Sequence, residues 1–314
     1  PYAYGVEAYA MPKRLKVDTT GSPPTSPDLT GSADRPYAYV TPWHSRADAR
    51  FAGALLQEDV RLRFATEQFS SGGRTYAPGT ILITRTANTT RLPDFDATVR
   101  RVAAAHDQSL HAVQTGFTDE EPDFGSGSVG FIEGPRVAVL SGPPMEANRV
   151  GEVWHFFDHK LEYPATLLPA DDVVAPMLDD VDVLVLPDGD YDAWFTDARA
   201  ERIAQWVEQG GRLIALGNAN GALAERSKYQ LTQDATDTAD GASDASPQPY
   251  GAQQRRALTQ STPGSIHRIR LDTSHPLGFG LDSPYFTLKR NSKTYAYLGG
   301  GGTVGALENS TPVS

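Results

Sequence analysis

The sequence predicts an α/β protein in which a small β/α domain is followed by a doubly wound parallel sheet. Three observations carry this prediction. Strand and helix patterns alternate regularly between residues 136 and 216, the strand Val183-Leu184-Val185-Leu186 is apolar without interruption, and the 314-residue chain is 39% hydrophobic and 21% charged. An uninterrupted apolar strand fits a sheet covered by helices on both faces, where strands run parallel. The composition supports two ordinary cores.

In chain order, Val17 to Pro36 is Thr, Ser, Gly, Pro and Asp with almost nothing apolar, the composition of a solvated linker. Tyr37 to Val40 reads as a strand, and Ser45 can cap a helix whose Ala49, Ala52, Leu55 and Leu56 recur at helical spacing. Arg61 to Phe69 and Thr80 to Thr84 alternate as strands, with turns at Ser71-Gly72-Gly73 and Ala77-Pro78-Gly79. Asp94 caps a helix reaching about His106, and a strand over Leu110 to Val113 completes the first unit. Thr118 to Gly127 reads as a loop, and the boundary falls near Gly134. The second domain runs as strand Arg136 to Leu140, helix Asn148 to Leu161, strand Val181 to Leu186, helix Thr196 to Gln209 and strand Arg212 to Leu216. Thr232 to Gly264 is too polar to pack and is expected to be a disordered insertion, after which Ile266 to Leu271 alternates as a strand. The domains are thus a linker over 1–36, a β/α domain over 37–133 and an α/β domain over 134–314.

The formal charge is −11, from 28 basic and 39 acidic residues, with no basic stripe, which argues against nucleic acid and anionic membranes as partners. The Arg- and Asp-rich surface fits solubility at high ionic strength. Cysteine is absent, so disulfides, thiolate metal sites and a Cys nucleophile are excluded. No apolar run approaches the roughly 18 residues of a membrane span. The chain starts Pro1-Tyr2-Ala3-Tyr4-Gly5 without Met or signal-peptide layout, and a sheet of this kind ordinarily continues past Ser314, so a piece of a longer polypeptide is expected.

The sharpest motif is the strand Leu213 to Leu216 running into Gly217-Asn218-Ala219-Asn220-Gly221. This Gly-x-Ala-x-Gly reads either as a nucleophile elbow with alanine in the nucleophile position or as an ordinary strand-to-helix turn. A methyl group cannot attack a carbonyl, so neither reading supplies covalent catalysis. Pro187-Asp188-Gly189-Asp190-Tyr191-Asp192 places carboxylates just beyond a parallel strand, where open α/β sheets bind ligands, although turn formation explains the same residues. Ser141, at the end of the first strand of the domain, joins Asp188, Asp190, Asn218 and Asn220 as a candidate lining of that crevice. The following Pro143 and Pro144 lack the amides a phosphate cradle needs. Gly299 to Gly302 reads as a flexible turn and His275-Pro276-Leu277 as a structural loop. His155 and His159 sit one helical turn apart and are weak metal candidates, because Phe156, Phe157 and Leu161 fit a packed amphipathic helix.

The segments Pro1-Tyr2-Ala3-Tyr4-Gly5-Val6-Glu7-Ala8-Tyr9-Ala10, Gly134-Pro135-Arg136-Val137-Ala138-Val139-Leu140-Ser141-Gly142 and Ser274-His275-Pro276-Leu277-Gly278-Phe279-Gly280 resemble the C-terminal half of large bacterial zinc carboxypeptidases. The resemblance implies a zinc peptidase domain upstream, then accessory domains, the last similar to class I glutamine amidotransferases with a flavodoxin-like sheet. It implies export to the periplasm or beyond, zinc held in the upstream domain and no cofactor here, and the parent's own peptidase domain as partner. Ala219 departs from the amidotransferase pattern, so only the scaffold carries over.

Two functions follow as expectations. The first is a non-catalytic accessory region that packs on the peptidase domain or binds a partner. The second is a small-molecule or carbohydrate-binding module using the crevice at the strand ends.

Overall fold

The structure, a computed structural model, describes residues 12–13, 29–31, 34–120, 122–173, 175–224, 226–233, 264–289, 293–309 and 311–313. The insertion expected within 232–264 lies outside these residues except at its ends.

The first elements are β1 (Leu29–Thr30), β2 (Ala38–Thr41), α1 (Arg46–Gln57), β3 (Leu62–Ala65), β4 (Phe69–Ser71), β5 (Arg74–Tyr76), β6 (Ile81–Thr84), α2 (Arg85–Asn88), α3 (Phe95–Ala105), β7 (Leu110–Val113) and β8 (Val129–Ile132). Six of the strands form one sheet in the order β1-β7-β2-β6-β3-β8, antiparallel except where β1 runs parallel to β7. Alternation divides its residues between two cores. Tyr39, Ile81, Ile83 and Leu62 pack with Phe51 and Leu55 of α1 and Phe95 and Val99 of α3. Ala38, Val40, Leu82 and Val113 pack with Phe69, Tyr76 and Phe124 instead. Ser45 caps α1 in a reciprocal box in which its hydroxyl accepts from the Asp48 amide and the Asp48 carboxylate accepts from the Ser45 amide.

Two expectations change here. Leu29 and Thr30, placed in the linker, form β1, because a short edge strand needs only backbone pairing to β7 and no apolar pattern. Val129–Ile132, between the expected loop and the expected domain boundary, is the strand β8 against β3.

Asp96, in the first turn of α3, accepts hydrogen bonds from Tyr39 (2.8 Å) and from Arg85 (2.6 Å). Burial alone would raise its carboxyl, but the bonds from Arg85 and Tyr39 outweigh it and hold the carboxyl below its ordinary value of 3.8. The folded value lies below the unfolded one, so the stabilisation is present above the unfolded value and is lost as pH falls through the folded one. Asp96→Asn should therefore cost about 1–2 kcal/mol near neutral pH. In urea denaturation followed by circular dichroism, that difference should shrink toward zero in strong acid.

The chain continues through β9 (Val137–Ser141), α4 (Ala147–His155), a π-helical turn (Phe156–Leu161), β10 (Ala165–Pro169), α5 (Ala175–Leu178), β11 (Val183–Leu186), α6 (Asp197–Glu208), β12 (Arg212–Ala215) and α7 (Ala219–Ala224). The four strands are parallel in the order β10-β9-β11-β12. The apolar run of β11 is buried at every residue, as its sequence predicts. β9 and β11 supply the middle of a core closed by Tyr191, Trp194, Phe195, Ile203 and Trp206. The predicted helix over 148–161 is α4 up to His155 and then widens into the π turn, which ends at Glu162 in a left-handed conformation (φ 52°). The Arg50 guanidinium pairs with the Glu162 carboxylate there, tying the turn to α1.

The strand predicted at Ile266 to Leu271 does not extend the parallel sheet. It is β13 (Ser265–Leu271), the centre of an antiparallel sheet in the order β14-β13-β15, with β14 (Tyr285–Lys289) and β15 (Gly305–Leu307). Its alternation of apolar and basic residues suits a strand with one wet face, which antiparallel pairing tolerates and a doubly covered parallel sheet does not.

Candidate functional site

At the C-terminal ends of β11 and β12 the parallel sheet faces the C-terminal antiparallel sheet across a crevice of about 1000 Å³. One wall carries Arg149 and Glu152 of α4, Asp188 beyond β11, and Asn218 and Asn220 in the turn after β12. The opposite wall carries Lys289 of β14 and Lys293, Tyr295 and Tyr297 beyond it.

The turn explains its own glycines. Gly217 has φ +56°, and a Cβ there would lie 2.5 Å from the Asp188 carboxylate carbon, so only glycine admits both the backbone and the carboxylate. Asp188 Oδ1 accepts the Asn218 amide at 2.8 Å, which fixes the carboxylate over the turn. At the other end, a Cβ on Gly221 would lie 2.9 Å from Lys293 Nζ. A carboxylate and an ammonium thus stand against the two glycines that bracket Asn218 and Asn220. Arg149 bonds Glu152 at 2.8 Å, and its Nε lies 3.6 Å from Glu146 and 3.9 Å from Asp188. The hydrogen bond to Glu152, with the nearby carboxylates, raises its pKa further and keeps the guanidinium charged. Three carboxylates surround one guanidinium on this wall, while the facing wall carries Lys293 and Lys289, whose Nζ donates to the Lys293 carbonyl at 2.6 Å. Beneath it, burial and then the Asp188 charge raise the Tyr191 hydroxyl well above its usual range, so it stays protonated and donates to the Pro187 carbonyl at 2.7 Å.

Of the sequence candidates, the crevice brings together Asp188, Asn218 and Asn220. Ser141 and Asp190 do not line it. Ser141 ends β9 in register with Pro169, and the Asp190 carboxylate accepts the Asp192 amide, which is the turn role its spacing also allowed. Ala219 corrects the elbow reading. It is the first residue of α7, 1% exposed, with its methyl in the core beside Ala222 and Leu223. The left-handed residue of the turn is Gly217, not Ala219, so the chain makes an ordinary strand-to-helix connection in which residue 219 points away from the crevice.

His155 and His159 lie on α4 and the π turn with ring centroids 4.9 Å apart, and His159 packs edge-on against Trp154. His159 and Glu162 have His-x-x-Glu spacing, but the Glu162 carboxylate is taken by Arg50. Among the described residues no group of three or more His, Asp or Glu is placed to hold a metal ion. No helix among them is long and apolar enough to cross a membrane.

Arg149, Glu152, Lys289 and Lys293 were not singled out by sequence. Arg149 and Glu152 look like an ordinary i, i+3 surface pair, and the lysines reach the site only through the packing of a separate sheet. No protein-family model, curated protein or solved structure matches the chain.

Proposed function

We propose that this chain is a non-catalytic ligand-binding region whose strand-end crevice takes a small polar molecule carrying charges of both signs. The observation that carries the reading is the placement of Asp188 and Lys293 against Gly217 and Gly221, with Asn218 and Asn220 between them. A positive group on the ligand meets Asp188 and Glu152, a negative group meets Lys289 and Lys293, and the asparagine amides supply both donors and acceptors. The order β10-β9-β11-β12 is the 2-1-3-4 order that begins a flavodoxin-like sheet, which supports that finer fold. In such sheets the strand C-terminal edge is where ligands bind. In a polypeptide of the zinc carboxypeptidase kind that the sequence resembles, the region acts as an accessory, packing on the peptidase domain.

Isothermal titration with alanylalanine, a mixed-charge probe, tests the crevice. Saturable binding is expected, weakened at least about tenfold by Asp188→Asn and by Lys293→Met, a change of about 1.4 kcal/mol or more each. Asparagine keeps the acceptor for the Asn218 amide, so the turn persists and the loss reports charge. Binding that ignores both substitutions, or no binding at tens of millimolar, overturns the reading.

A further inference from the structure

A second cavity, of about 820 Å³, shares no lining residue with the strand-end crevice and is lined by Tyr37, Glu67 and residues that follow β7. Its lining includes Tyr37, Glu67, Gln114, Phe117, Asp123 and Ser126. Phe117 is 76% exposed although it lines a cavity, and its amide donates to Thr115 Oγ1 at 3.1 Å, which anchors the loop that presents it. Beside it, a Cβ on Gly116 would lie 2.7 Å from the Tyr37 ring, so glycine is what lets that ring lie against the backbone of the rim. Tyr37 and Phe117 both line this cavity, with Tyr37 held against Gly116.

The polar lining is set for hydroxyl groups. Glu67 Oε1 accepts from Ser128 Oγ at 2.8 Å, and Asp123 Oδ1 accepts from the Thr118 amide at 2.8 Å and its hydroxyl at 3.1 Å. Each carboxylate is thus oriented through one oxygen and offers the other as an acceptor. The Ser126 hydroxyl oxygen is buried with no hydrogen-bond partner. Among the described lining residues, two carboxylates and no cationic side chain repel anions. A ligand for this site needs an apolar face for the rings, several hydroxyls for fixed acceptors, and no negative charge. A pyranose has that combination, with C–H bonds on its faces and hydroxyls around its edge.

We propose that this cavity is a saccharide-binding site that takes an uncharged pyranose residue, stacked on Phe117 and Tyr37 and hydrogen-bonded through Glu67 and Asp123. The site is independent of the strand-end crevice and uses none of its residues.

The test is saturation-transfer NMR and calorimetry on the full chain with methyl glucoside, methyl mannoside, methyl galactoside, maltose, cellobiose and chitobiose. Glucuronate serves as an anionic control and argininamide as a cationic one. At least one neutral sugar is expected to bind saturably, and glucuronate at least about tenfold more weakly than glucoside if glucoside is that sugar, or not at all otherwise. Phe117→Ala should weaken binding at least about tenfold, and Glu67→Gln should weaken it as well. Both side chains are exposed, so the variants are expected to fold, and Asp188→Asn should leave sugar binding unchanged. The proposal is overturned if no neutral sugar binds at tens of millimolar, if binding survives both substitutions, or if argininamide alone binds, which would make the site one for a cationic side chain.

Discussion

Phe195→Ala is expected to lower the free energy of unfolding by about 3–5 kcal/mol, the range for removing a fully buried aromatic ring without refilling its space. Phe195 is 0% exposed and sits between β11 and α6, with Trp194 and Tyr229 around it at centroid distances of 5.7 and 6.2 Å. Its amide donates to the Tyr191 carbonyl at 2.8 Å, and its carbonyl accepts from Arg226, so the backbone is held and cannot collapse into the vacated volume. Burial has also raised the Tyr229 hydroxyl to about 12, so the neighbouring ring gains nothing from ionising near neutral pH. Urea denaturation followed by tryptophan fluorescence measures the change. A loss below about 1 kcal/mol would mean that Phe195 does not close this core.

Gly217→Ala is expected to have the largest effect on the crevice. Alanine at φ +56° costs about 1–2 kcal/mol in backbone strain. Its methyl would also stand 2.5 Å from the Asp188 carboxylate carbon, so the carboxylate must leave and release the Asn218 amide. Ligand affinity should then fall at least about tenfold, beyond the loss of stability. Gly142→Ala separates the two effects. Gly142 has φ +80° with nothing within 4 Å of an added Cβ, so that variant should show comparable strain and unchanged binding. Equal losses of affinity in both variants would show that the Asp188 contact does not matter.

The sequence made some of this visible and hid the rest for physical reasons. Ser45 and the spacing of Leu55 marked α1 because caps and periodicity are local properties. The strand over Leu110–Val113 was expected with the same bounds, and β11 was marked by its unbroken apolar run. Ala165–Pro169 was not anticipated as β10, since an edge strand flanked by prolines, with Leu167 45% exposed, carries little of a strand's usual pattern. The strand over Ile266 to Leu271 was expected, but its place in a separate antiparallel sheet was not, because alternation marks a strand and not which sheet it joins. Within the site, Asp188, Asn218 and Asn220 were legible because they follow parallel strands directly. The lysines opposite them were not, since long-range packing alone brings β14 and the segment after it across the crevice. The same limit left Ala219 open between two readings, as burial of a single methyl group has no local signature.

The most direct test of the central claim is a ¹H–¹⁵N NMR titration of the chain with alanylalanine, following the amides at the strand ends. The account predicts saturable shifts centred on Asn218, Asn220 and the amide of Asp188, extending to Lys289 and Lys293 on the facing wall. Shifts that leave the 217–221 turn untouched, or that saturate only at positions outside both walls, would contradict it.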